Sequence, residues 1–338
     1  MISHVDIREL EERDSHKWDA LIERSPQSTL FHKFDWLKIM EKYTNTKLSL
    51  LVGLDNEEIF AAIPLFIKKS LKGLITKVFS PPYPTQVPYL GPVFTGANEW
   101  KEMLRESRLR IFQQELDRYI ESRIKSNMTL IVTSPGLVDV RPYLTMGYDV
   151  LPKFTYVCDI SRKGEVFRGF TQTLRTDIAK AEKRGIQIEE AGLKEFRFTI
   201  GELRALLNKK EKWLEVSDEY FSEIYEKFHP NNLKVFVSKY DNKNLSGLIL
   251  LMDKNKVWIW IGLARVEMKG IYPNELLQWR AIEWASDHGY QLCEIIDAQT
   301  STSFKAKYNF NLDIFYSTRK YTKKYEWISS IHNIMTRS

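Results

Sequence analysis

Two stretches decide the architecture: KLSLLVGLDNEEIFAAIPL, from Lys47 to Leu65, and LKVFVSKYDNKNLSGLILL, from Leu233 to Leu251. Each sets an Asp-Asn pair (Asp55-Asn56, Asp241-Asn242) between two apolar runs, the pattern of a strand–turn–strand hairpin. The copies stand 186 residues apart. A second pair of anchors, Tyr148-Asp149-Val150 and Phe310-Asn311-Leu312, follows short helical stretches at a spacing of 162. A spacing that shrinks by 24 between anchors, from 186 to 162, predicts a duplicated domain whose first copy carries an insertion. The segment Ser80-Pro81-Pro82-Tyr83-Pro84, continuing to Pro88-Tyr89-Leu90-Gly91-Pro92, is too rich in proline for regular structure and lies where that insertion belongs.

The remaining signals give domains 1–150 and 151–338, the second ending in a basic helix. In the first, strand His4–Leu10 leads to a helix capped by Ser15 and a second helix from Phe34 to Lys42. A long helix capped by Asn98 runs to about Ser126, before strand Thr129–Thr133. The second domain reads β-α-β-α-α-β-β-β-α-β-α-β. It opens with strand Thr155–Ile160 and one basic helix from Glu165 to Lys183, stopped by Gly185. Pro273 starts a later helix that Gly289 ends. The fold class is α/β (mixed α+β): two tandem domains, each a mixed, mostly antiparallel sheet flanked by helices.

With 43% hydrophobic residues, 338 residues suffice for two cores. No apolar run approaches the ~18 residues of a membrane span. The N-terminus lacks the basic and apolar regions of a signal peptide. Cys158 and Cys293 each fall inside an apolar strand and read as buried free thiols, so a cytoplasmic, disulfide-free protein is expected. The net charge of +6 is too small to imply nucleic-acid binding by itself, but it is unevenly spread. From Lys305 onward seven bases face two acids, and Arg175, Lys180, Lys183 and Arg184 form a second cluster, both attractive to a phosphate-bearing ligand. There is no Gly-x-Ser-x-Gly, Walker loop, Cys-x-x-Cys or His-Glu-x-x-His, which disfavours serine-nucleophile and metal catalysis.

The element order, with a central meander and a helix after its last strand, resembles the GNAT acyltransferase fold. Two copies in one chain resemble the Fem-type (FemABX-like) peptidyltransferases, which pair two such domains. The residues carrying the resemblance are Thr155-Tyr156-Val157-Cys158-Asp159, Arg175 to Gly185, Asn274 to Ile282, and Phe304-Lys305 followed by Tyr308-Asn309-Phe310. The resemblance implies an acyl- or aminoacyltransferase that moves an aminoacyl group from aminoacyl-tRNA to an amine on a cell-wall precursor or related glycan. It makes Lys305 the first candidate catalytic residue and Phe304 a stacking surface for the donor. It places acceptor-binding bases at Lys42 (or Lys38) in the first domain and Lys212 (or Lys210) in the second. Residues 191–230 are too few for the helical hairpin of the staphylococcal members.

Read from chemistry alone, Asp297 follows strand Leu292–Ile296 on the face of Cys293 and Ile295. It is either a base with a burial-raised pKa or the cap of the next helix. Arg265 and Lys269 flank the turn where a coenzyme A pyrophosphate would lie, yet Arg265 to Pro273 offers one glycine and Pro273 removes an N–H. No resident cofactor is expected. Acetyl-coenzyme A is the donor only under a rival reading, a coenzyme A-dependent N-acyltransferase for sugar nucleotides or polysaccharide precursors. Trp258 and Trp260 share a strand face and either stack a donor or pack on a helix. A second rival is a non-catalytic protein that binds RNA or anionic glycan in a basic groove.

Overall fold

A computed structural model describes residues 5–209, 214–262, 268, 270–296 and 303–327, the side chains of 303 and 304 apart. The chain forms two compact units, one running through Lys153 and resuming at Ile314, the other Phe154–Asp313. The first unit contains β1 (Asp6–Leu10), α1 (Ser15–Arg24), α2 (Phe34–Thr44), β2 (Lys47–Asp55), β3 (Glu58–Ser70) and β4 (Ile75–Ser80). The short β5 (Val93–Phe94), α3 (Glu102–Tyr119), β6 (Met128–Val132) and α4 (Arg141–Thr145) follow. β7 (Asp149–Asp159) then carries the chain into the second unit. There lie α5 (Lys163–Gly169), α6 (Gln172–Lys183), β8 (Gln187–Ala191), α7 (Leu193–Lys209), α8 (Asp218–Phe228) and β9 (Leu233–Tyr240). β10 (Lys243–Asp253), β11 (Lys256–Gly262), α9 (Pro273–Asp287), β12 (Leu292–Ile295) and α10 (Ser303–Ala306) complete it, and β13 (Asn311–Tyr321) returns to the first.

The duplication is visible in the strand order. Hydrogen-bonded neighbours run β1-β2-β3-β4-β6-β13 in the first unit and β8-β9-β10-β11-β12-β7 in the second. Each has one parallel pair, β4 with β6 and β11 with β12, among antiparallel neighbours. The β2–β3 and β9–β10 hairpins occupy equivalent places, but the Asp-Asn pairs are one residue out of step. The turn residues are Asn56-Glu57 (φ 48° and 66°) in one and Asp241-Asn242 (φ 53° and 57°) in the other. Two left-handed residues in a two-residue loop match the twist of the paired strands.

The expected second domain, 151–338, is too long. β13 pairs with β6, from Ser317 opposite Val132 to Tyr321 opposite Met128, and so belongs to the first unit. β7 in exchange pairs with β12 in the second. Each unit is completed by the strand that ends the other copy's sequence, β13 in the first and β7 in the second. Lys320 fastens the returning strand, with Nζ 2.9 Å from Asp117 on α3, and Tyr148 donates to the same carboxylate at 2.6 Å.

Local boundaries also move. Ser15 opens α1 rather than capping it, and Asn98 lies in a short 3-10 turn while α3 starts at Glu102. The single helix expected from Glu165 to Lys183 is two, because Thr171 leaves helical geometry and its hydroxyl accepts from Leu174 N. Arg175 then donates to the carbonyls of Arg168 and Phe170, which end α5. That guanidinium is committed to a helix end rather than to a phosphate.

Each unit has its own core. Phe60, Ile63, Val78, Phe94, Phe112, Leu116 and Ile131 centre the first, and Phe170, Leu174, Leu250, Ile259, Leu277, Trp279 and Ile282 the second. α9 is buried along most of its length, which fixes both of its ends relative to the sheet.

Candidate active site

Parallel strands joined by a crossover helix bring their carboxyl ends and the helix N-terminus to one place, where α/β proteins bind ligands. Each unit offers one such place, and they differ. In the first, the proline-rich insertion fills it. Leu90 N donates to Val132 O at 2.9 Å, forming a parallel bridge with Thr133 just past the end of β6. The Leu90 carbonyl accepts from Ser134 Oγ and lies against His32 Nε2, both at 2.9 Å, and Gly91 N donates to Ser80 Oγ at 3.1 Å. Gly91 is required here: a Cβ would stand 2.9 Å from Thr133 Cα, at φ 64°.

In the second unit the ladder between β11 and β12 ends with Ile259 opposite Ile295, whereas β11 continues to Gly262. Among the described residues, the last three of β11 have no partner in β12. Pro273 at the first position of α9 removes a donor where a diphosphate would seek one, and Glu275 places a carboxylate in the first turn. Gln278 approaches Gly262, its Nε2 3.7 Å from where a Cβ would be.

Two lysines from α10 and the turn after it reach this place. Lys305 Nζ donates to the carbonyl of Ile296 at 2.6 Å, immediately past β12. Lys307 Nζ lies 3.3 Å from Asp177 Oδ2 on α6 and 3.8 Å from Glu275 Oε1 on α9. Its backbone is fixed too, because Thr171 N donates to Lys307 O at 3.0 Å. The break between α5 and α6 thus positions this ammonium. Glu275 is fully buried and Asp177 nearly so. Tyr308, fully buried against Phe170, has its phenol pushed well up, by burial first and then by Glu275 and Cys293.

Of the sequence-derived candidates, Lys305 alone is fully described in this constellation. Phe304 lies in α10, and its side chain is outside the described residues, as are Asp297, Arg265, Lys269 and Lys212. Trp260 is buried, with its ring 6.0 Å from Phe221 on α8. Trp258 donates to the fully buried Glu294 at 3.1 Å, which also accepts from Thr155 Oγ1 at 2.7 Å and pairs with Lys256 at 2.6 Å. Trp260 thus packs against α8, while Trp258 is committed to the buried Glu294. Lys42 is exposed on α2 in the first unit, its Nζ 5.0 Å from the Tyr43 ring. Lys307, Asp177 and Glu275 were missed. Lys307 adjoins the Phe304-Lys305 pair, and Asp177 and Glu275 lie in segments that carry the resemblance, but pairing across 130 residues leaves no mark in a single sequence.

Residues 168–302 match the family model of the acetyltransferase (GNAT) domain. The crystal structure of FemX is similar over 92% of this chain and 96% of that one, with a TM-score of 0.67 at 16% identity. The L-PGS structure from Bacillus licheniformis matches 93% of both chains, with a TM-score of 0.55 at 15% identity. A tandem GNAT protein from the clavulanic acid biosynthesis pathway matches 94% of this chain and 98% of its own, at 0.54 and 11%. No curated protein matches the sequence. The second unit thus carries a GNAT acyltransferase domain, within a chain that shares the fold of the FemX structure over 92% of its length.

Proposed function

We propose that the second unit transfers an aminoacyl group from aminoacyl-tRNA to an amine on a cell-wall precursor or related glycan or peptide. The observation that carries this reading is the placement of Lys305 and Lys307 at the carboxyl ends of β11 and β12, beside the first turn of α9. The amine nitrogen attacks the donor's ester carbon, the C–N bond forms and the C–O bond breaks. The amine's proton leaves with the released hydroxyl. Lys305, whose ammonium the Ile296 carbonyl orients, stabilises the oxyanion or the donor's terminal phosphate. Lys307 between its two carboxylates keeps α6, α9 and α10 in register around the site.

A coenzyme A thioester is the second reading, favoured by the match to the acetyltransferase domain model. Pro273 and Glu275 count against it, since they put a missing donor and a carboxylate where a diphosphate would bind. Two measurements separate the readings. Retention on immobilised tRNA that weakens steeply with salt supports the first. A thermal upshift with acetyl-coenzyme A and none with charged tRNA supports the second. Under either donor, Lys305→Ala should lower transfer by about a hundredfold or more; unchanged turnover removes Lys305 from the mechanism.

A further inference from the structure

The connection between β3 and β4 projects two leucines into solvent. Leu71 is 58% exposed and Leu74 65%. Leu71 (φ 51°), Lys72 (φ 54°) and Gly73 (φ 88°) are all left-handed, a conformation that costs a leucine about 1–2 kcal/mol. A side chain that is strained, apolar and outside both cores serves neither turn nor packing. Beside it stands the helical turn 323–327, tied by Lys324 Nζ donating to Leu74 O at 2.9 Å and by Lys77 Nζ 5.5 Å from the Tyr325 ring. That turn presents Trp327, 69% exposed. Lys68, Lys69, Lys72, Lys77, Lys323 and Lys324 lie in the two segments that carry the three apolar side chains, and Glu326 is the single acid in residues 68–77 and 322–327.

We infer that this face of the first unit docks on an anionic lipid bilayer, with Leu71, Leu74 and Trp327 entering the headgroup–acyl boundary and the lysines facing lipid phosphates. Charge complementarity selects the partner. Each lysine near an anionic surface strengthens partition by about fivefold, while leucine tips gain by entering hydrocarbon and offer no π-face to a nucleobase. No described helix is long and apolar enough to cross a membrane, so the contact is peripheral. The inference is independent of which donor the second unit uses.

The full chain is sedimented with vesicles of phosphatidylcholine alone and of phosphatidylcholine with 30% phosphatidylglycerol (about one lipid in three anionic). Binding at least about tenfold stronger to the anionic vesicles is expected, weakening as salt rises from about 0.1 M to 1 M and the screening length falls from about 10 Å to 3 Å. The pair Leu71→Ser and Leu74→Ser should lose roughly tenfold in partition at an unchanged melting midpoint. The triple Lys68→Gln, Lys69→Gln, Lys72→Gln should lose more. Failure to bind anionic vesicles overturns the proposal. So does wild-type partition by the serine pair. If the serine pair still binds unfractionated tRNA while the glutamine triple does not, and neither responds to vesicles, the patch is a nucleic-acid surface instead.

Discussion

Replacing Lys307 by Met tests whether the second unit is held together at its site by one ammonium. The side chain is 17% exposed, Asp177 7% and Glu275 0%. At an effective dielectric constant near 20, a 3.3 Å pair attracts by about 5 kcal/mol, several times what an exposed pair contributes. Methionine fills similar volume but strands two buried carboxylates, and breaking buried pairs from one side costs about 3–5 kcal/mol. For a domain of this size that loss lowers the melting midpoint by roughly 10 °C. Calorimetry with urea titration measures it, and adding Glu275→Gln to Lys307→Met should recover part of the loss because the sites are coupled. A loss below about 1 kcal/mol, or no recovery in the double variant, refutes the argument.

Other outcomes follow from packing and ionisation. Gly91→Ala must push its Cβ against Thr133 at a left-handed φ and should cost about 1–3 kcal/mol, read from the urea midpoint. Burial raises the Asp117 carboxyl, against the hydrogen bonds from Tyr148 and Lys320. The folded state therefore binds a proton that the unfolded chain releases near pH 3.9, and stability falls as pH rises through the folded value. Relative to Asp117→Asn, the wild type should lose ground across that window in urea midpoints taken from pH 4 to 7. Burial pushes the Cys158 thiol up to about 11 and Cys293 further. At pH 8 about one Cys158 in a thousand is thiolate, so a maleimide should label it slowly and Cys293 only after unfolding, as peptide mass mapping will show.

The hairpins were legible because period-two apolar runs around a two-residue turn leave a local signature, and that signature exposed the duplication even one residue out of step. Strand exchange was not legible. Phe310-Asn311-Leu312 was matched correctly to Tyr148-Asp149-Val150 as the start of equivalent strands, β13 and β7. Nothing in an eleven-residue strand says which sheet it joins, since that is decided by pairing with β6, some 185 residues upstream. At the site, Lys305 was legible through family resemblance. Lys307 was not, because its partners come from α6 and α9 and its ammonium looks in sequence like any surface charge. Thr171 was hidden for the same reason: one helix-breaking hydroxyl cannot outvote the helical periodicity on either side of it.

The crossed ownership of β7 and β13 has a consequence for biogenesis. As the nascent polypeptide leaves the ribosome, the amino-terminal sheet cannot finish until residues 311–321, made after the rest of the second unit, reach β6. The place beside β6 stays open throughout synthesis of the other lobe. Cutting the gene at the repeat junction would leave one fragment lacking β13 and the other carrying it without β6, so the halves are inseparable by any single cut.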